Sequence, residues 1–182
     1  MSSSHAASSR SGAGPETRSS LTSSRSPAST WWEVPATTID ALEREGLIRR
    51  LPFDRRRVDE AVALADRDLV VAGKVLELDP DWAYAIAYNA MLQAARALLF
   101  ADGYRPAGKN QHVTVVRFVA VRIGPDAAAG LDRLRRKRHI TVYDTAGTIG
   151  ASEAAAAVRR ADAFVATVRG MLAAGPAGDD DR

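Results

Sequence analysis

Residues 81–102 read DWAYAIAYNAMLQAARALLFAD, and the reading of this stretch decides the fold. Asp79-Pro80 ahead of it offers a helix cap and a first-turn proline, and Gly103 behind it offers a stop. Between them the apolar residues occupy two sides of a helix. Ile86, Ala90, Ala94 and Ala97 lie on one side; Tyr84, Tyr88, Leu92, Ala95 and Leu99 lie on the other. At about 1.5 Å per residue such a helix runs roughly 33 Å. A helix apolar on two faces needs neighbours on both. It is predicted to be the centre of a bundle.

The neighbours follow on either side. After Pro52, Asp54 can cap a long helix whose Val58, Val62, Ala65, Leu69, Ala72 and Leu76 recur at alternating steps of four and three, one helical face. Downstream, GYRPAGKNQ (103–111) reads as a loop. The next run, HVTVVRFVAVRI, has the β-branched content of a strand, yet a lone strand has no partner here. It is predicted as a helix with Val113, Val116, Ala120 and Ile123 inward. Residues 126–145 form another helix, TAGTIGA a loop, and Ser152 caps a last helix that buries Ala157, Ala161, Phe164, Val168 and Met171. The expected fold is all-α, an up-and-down bundle of about five helices.

The flanks differ in composition. Residues 1–30 hold twelve serines and only Met1 and Leu21 as large aliphatics, too little apolar surface to offset the entropy of ordering. They are predicted to be a disordered tail. Residues 31–53 read as an arm that starts at Trp31-Trp32 and carries a short helix capped by Thr38, with Gly46 near its end. The bundle is placed at residues 54–172, and residues 173–182 read as a disordered acidic tail.

Charge and composition narrow the function. A formal net charge of +3 is too mild for a protein that binds nucleic acid over its whole surface, so an anion site has to come from local clustering. There is no cysteine, which removes disulfides and thiolate metal sites; with so few histidines no metal site and no cofactor is expected. No 18-residue apolar run and no hydrophobic leader is present, so a cytoplasmic protein without a membrane span is expected. A P-loop, a dinucleotide fingerprint and a Ser/His/Asp arrangement are all missing.

The local cluster is RLRRKRHITVYD, residues 133–144, where five of the first six side chains are basic. On a helical wheel Leu131, Leu134, Thr141, Val142 and Thr145 share an arc with Arg138 at its middle, and Arg135, His139 and Tyr143 follow along the flank. Arg133, Arg136 and Lys137 point elsewhere, toward solvent. An arginine on a buried stripe needs a compensating group. One reading pairs Arg138 with an internal acid such as Asp68. The other makes an anion site in which Arg138 and Arg135 hold a phosphate beside His139, whose pKa the cations depress. His112, after the GKNQ loop, is either a surface residue or, with Lys109, a second polar wall of the same cleft.

Three stretches in order, ALADRDLVVAGKVLE, DWAYAIAYNAMLQAARALLFADGYRP and LRRKRHITVYD, together with the last helix, resemble a HEPN domain. The resemblance covers roughly residues 54–172. It implies a compact helical bundle that often dimerises, with the motif helices of two protomers meeting across a cleft. Many members are metal-independent ribonucleases of toxin–antitoxin or defence systems, frequently partnered by a nucleotidyltransferase-like protein. Their motif is an arginine, a polar residue, three further residues and a histidine. Arg138 matches the arginine and His139 the polar position, but Tyr143 stands where the terminal histidine belongs. A phenol with an ordinary pKa near 10 is a poor base at neutral pH. A looser register, Arg133 with His139, puts its two residues about 120° apart on the wheel.

Three functions follow from these features. The first is a dimeric binding module with degenerate catalysis, taking RNA or nucleotide phosphate, or a nucleotidyltransferase-like partner, through the basic helix. The second is an active metal-independent ribonuclease toxin using His139 with Arg135 and Arg138. The third is a purely structural helical protein with a solvated basic face.

Overall fold

The computed structural model describes residues 38–143 and 147–175, and of residues 139–143 the backbone only. The serine-rich residues 1–30, Trp31-Trp32 and the acidic residues 176–182 lie outside the described residues. The chain forms α1 (Ile39–Arg44), β1 (Ile48–Arg50), α2 (Arg55–Val75), α3 (Pro80–Ala101), β2 (Tyr104–Pro106), α4 (Gln111–Arg122), α5 (Pro125–Tyr143) and α6 (Ala151–Ala174). The fold is all-α, with five principal helices and the short α1.

Local chemistry sets the helix starts. The side chains of Thr38, Asp54 and Asp79 each accept a backbone N–H of the first turn, from Ala41, Arg56 and Trp82 respectively. Pro80 occupies the first turn of α3, where its missing N–H costs nothing. Ser152 does not cap α6 as expected. Gly150 holds the cap position without a side-chain bond, and Ser152 lies in the first turn. The loop before α6 is held instead by Asp81, whose carboxylate accepts the N–H groups of Gly147 and Ile149. At the other end α6 continues to Ala174, past the boundary placed at residue 172, and stops at Gly175 with φ +82°.

The central position of α3 is as predicted. It packs against α2, α4, α5 and α6, and thirteen of its residues are buried, six of them alanines between Ala83 and Ala95. Small side chains let four helices approach one axis, and Tyr88, Met91, Leu98 and Leu99 fill the spaces between them.

Two further expectations are corrected. Residues 48–50 and 104–106, read as arm and loop, pair as antiparallel strands in the register Ile48↔Pro106, Arg49↔Arg105 and Arg50↔Tyr104. Three-residue strands are too short to leave a two-residue period in the sequence. They meet because α3 ends beside the segment that precedes α2: the Leu51 N–H donates to the Gly103 carbonyl at 2.8 Å, and Gly103 turns with φ +78°. The inward face of α4 is also displaced. Thr114, Val115, Val116, Phe118 and Val119 are buried, whereas Val113, Ala120 and Ile123 are only half-buried. The run is apolar nearly all round, so its period does not select a face; the large Phe118 takes the core. On α2 the buried row is Val58, Ala61, Ala65, Asp68 and Ala72, with Val62, Leu69 and Leu76 at its edge.

These assignments predict that Phe118→Ala lowers the unfolding free energy by about 3–5 kcal/mol and Ala94→Leu by about 1–3 kcal/mol through overpacking. Val113→Ala is expected to cost clearly less than Val115→Ala. Urea unfolding of the four variants checks this, and equal costs for the two valines would return the inward face to Val113.

Candidate functional site

The basic segment of α5 sorts itself by partner. Asp132 is fully buried, and it accepts the Nε–H of Arg135 at 2.8 Å and pairs with Arg136 Nη2 at 3.0 Å. Lys137 reaches the carboxylate of Glu153 on α6 at 2.5 Å. Arg136 and Lys137, expected to be solvated, are therefore ion-paired. Asp132 sits three and four residues ahead of its two arginines, the spacing that puts them on one helix face.

Arg138 is compensated differently. The acid proposed for it, Asp68, is buried on α2 but takes Arg67 at 2.7 Å and the Asn89 amide. The Arg138 guanidinium lies instead over the ring of Tyr88, 5.5 Å from its centroid, and its Nε is buried without a hydrogen-bond partner among the described residues. A cation–π contact is worth about 0.5–2 kcal/mol; it leaves the Nε–H of the fork unsatisfied.

Tyr88 joins this arginine to His112. The Tyr88 hydroxyl and His112 Nδ1 are 2.7 Å apart, and the two rings stack with centroids 6.0 Å apart at 29°. Burial pushes the Tyr88 phenol up to about 12, partly offset by Arg138, Arg135 and Arg96. Burial, then Arg96, Arg138 and Arg135, hold the His112 imidazole below its ordinary value. At neutral pH the pair is a protonated phenol beside a neutral imidazole. The arrangement that satisfies the buried hydroxyl has it donate to Nδ1, with the ring proton on Nε2. His112, an exposed residue, then offers an N–H donor on its outer side.

Arg96 completes the cluster. It stands two turns beyond Tyr88 on α3, and its Nε is likewise buried and unpartnered among the described residues. The sequence reading missed Arg96, Asp132 and the polar role of Tyr88, which it counted as core alone. The signal for Arg96 was a lone arginine amid alanines at four-residue steps from Tyr88 and Leu92. Lys109 is exposed in the β2–α4 loop and makes no hydrogen bond or ion pair among the described residues. The side chains of His139 and Tyr143 lie outside the described ones; their backbone ends α5. Among the described residues no group of three His, Asp or Glu is placed to hold a metal.

The chain is thus a helical bundle with a cationic cluster at the meeting of α3, α4 and α5. The family model of the HEPN domain matches residues 59–171, more than half of the chain. The chain belongs to the HEPN domain family. Among solved structures it is similar to the one described as the crystal structure of TT1696 from Thermus thermophilus, at 22% identity and a TM-score of 0.50, over 63% of this chain and 97% of that one. That likeness is one of fold. No curated protein matches the chain.

The cluster has a pH signature. Because folding holds His112 below about 6.5, the unfolded chain binds its proton more readily. The stability contribution is whole above that value and is lost as pH falls from it through the folded pKa. His112→Gln is expected to flatten this slope of unfolding free energy between about pH 7 and 5. In NMR titration the His112 midpoint should lie below 6.5 and rise on Arg138→Ala, since a repelling cation is removed. A midpoint that stays put would detach Arg138 from the imidazole.

Proposed function

We propose that this HEPN domain binds a phosphate of RNA or of a nucleotide through α5 and acts as a binding module without cleaving the strand. One observation carries the reading: Arg138 is held over Tyr88 with no carboxylate of its own, while Asp132 and Glu153 compensate the basic residues around it. A fork with an unsatisfied N–H, next to an outward N–H of His112, matches the donor set that a phosphate oxygen requires. The tautomer also supports binding over cleavage, because an imidazole that accepts from Tyr88 has no lone pair left to abstract a ribose hydroxyl proton. Tyr143 at the motif's terminal position points the same way. By family resemblance the domain works in the cytoplasm as a homodimer, in a toxin–antitoxin or defence system with a nucleotidyltransferase-like partner.

A second reading is a metal-independent ribonuclease using His139 with Arg135 and Arg138. The neutral His112 beside Arg138 favours it, since a second imidazole is at hand if the Tyr88 bond is exchanged.

Purified protein is expected to bind single-stranded RNA or mononucleotide and to leave total RNA intact in EDTA. Arg138→Ala should weaken binding by about ten- to a hundredfold, the loss of a charge-assisted contact. RNA cleavage abolished by Arg138→Ala and His139→Ala would establish the ribonuclease instead. Light scattering of the same samples tests the dimer.

A further inference from the structure

Around the end of α3 a pocket of about 290 Å³ is lined by Leu51, Arg57, Arg96, Phe100, Arg105 and Gln111, with Pro106 at its side. Three of these residues are arginines and none is acidic. A fourth, Arg49, is the cross-strand partner of Arg105 and shares its face of the β1–β2 ladder. Like charges directly opposite one another destabilise a strand pair. None of the four guanidiniums has an ion pair among the described residues.

The arginines nearby are treated otherwise. Arg50 pairs with Glu43, Arg55 with Asp59, Arg56 with Glu60, Arg117 with Glu45 and Arg122 with Asp102. Arginines around this pocket thus find carboxylates, whereas Arg57, Arg96 and Arg105 within it, like Arg138, have none among the described residues. Inside it, the buried Nε of Arg96 has no acceptor among the described residues, and the Arg57 guanidinium lies 5.9 Å from the centroid of Phe100. An apolar wall bearing a ring, and several forked donors with no acid, suit a phosphate carrying a sugar and base.

The pocket adjoins the site at Arg138. Arg96 lines it and also acts on His112 and Tyr88, and Gln111 precedes His112. Tyr88 and Arg96 are about 12 Å apart along the axis of α3. Arg57 and Arg105 stand on α2 and β2, whereas Arg138 is on α5. From this geometry we infer that the arginine pocket is a second phosphate subsite, taking a further phosphate of the single-stranded RNA whose first phosphate sits at Arg138. This rests on the phosphate-binding reading above and extends it: the ligand is a polynucleotide strand rather than a mononucleotide.

The test measures affinity of the full chain for a short single-stranded RNA by fluorescence anisotropy across a salt series. It compares wild type with Arg57→Ala, Arg105→Ala and Arg138→Ala, each checked for unchanged thermal unfolding. Arg57→Ala and Arg105→Ala are expected to weaken RNA binding by about fivefold each and to reduce the slope of log affinity against log salt by about 0.7, one phosphate contact on a single strand. Arg105→Lys should recover most of that slope. If both alanine variants keep wild-type affinity and slope while Arg138→Ala abolishes binding, the second subsite is refuted and the reading at Arg138 stands. If the pocket variants weaken binding and Arg138→Ala does not, the pocket is the phosphate site and the reading at Arg138 falls. Folded wild type that binds no RNA overturns both.

Discussion

A helix enclosed by four others can carry few large side chains, and α3 meets that constraint with alanine. Ala83, Ala87, Ala90, Ala94, Ala95 and Ala97 are all at most 1% exposed, so their neighbours approach the axis closely. Close approach brings long polar side chains from different helices within reach of one another. Tyr88 on α3, His112 at the start of α4 and Arg138 on α5 touch because α4 and α5 both pack against α3 at short range. The polar cluster of Tyr88, His112 and Arg138 is thus a consequence of core packing rather than an addition to it. Tyr88 belongs to both: it is 1% exposed in the core, while its hydroxyl orients the histidine.

Charge balance on α5 separates scaffold from site. A buried carboxylate such as Asp132 needs compensation, and one helical turn further along Arg135 hydrogen-bonds its Oδ1 while Arg136 ion-pairs its Oδ2. Arg135 and Asp132 also face Tyr88 closely enough to act on its phenol, in opposite directions. With Asp132, Glu153 and Asp68 all engaged, no described acid remains for Arg138. The Tyr88 ring holds its guanidinium, whose planar fork matches a phosphate better than the ammonium of a lysine would.

The fold was legible because burial on two sides of residues 81–102 leaves only one kind of neighbourhood for a long helix. The capping acids Asp54 and Asp79 were legible for the same local reason: their bonds span two or three residues. The site was legible only in part. Arg138 stood out as a charge on an apolar arc, but its partner did not, since a cation–π contact with Tyr88 joins positions far apart in the chain and leaves no spacing in the sequence. Asp132 was within reach of a local reading, at three and four residues from Arg135 and Arg136. The strand pair β1–β2 was not, because nothing in IRR or YRP sets either apart from a loop until the helices bring them together.

The direction of the Tyr88–His112 hydrogen bond has a wider consequence for the chemistry open to this domain. Burial and then three arginines depress the imidazole's affinity for a proton, which alone would favour a general base at neutral pH. The same three cations also ease the Tyr88 phenol toward ionisation, but burial outweighs them and holds it up at about 12. The phenol therefore keeps its proton, and where it donates to Nδ1 the electrostatic preparation of a base is cancelled by the neighbour that positions it. Reversing the bond requires a new acceptor for the Tyr88 hydroxyl, and a phosphate oxygen arriving at Arg138 would provide one. Under the proposed reading, ligand and tautomer would then be coupled: an anion at Arg138 that gave Tyr88 a new acceptor would also set which ring nitrogen of His112 carries the proton.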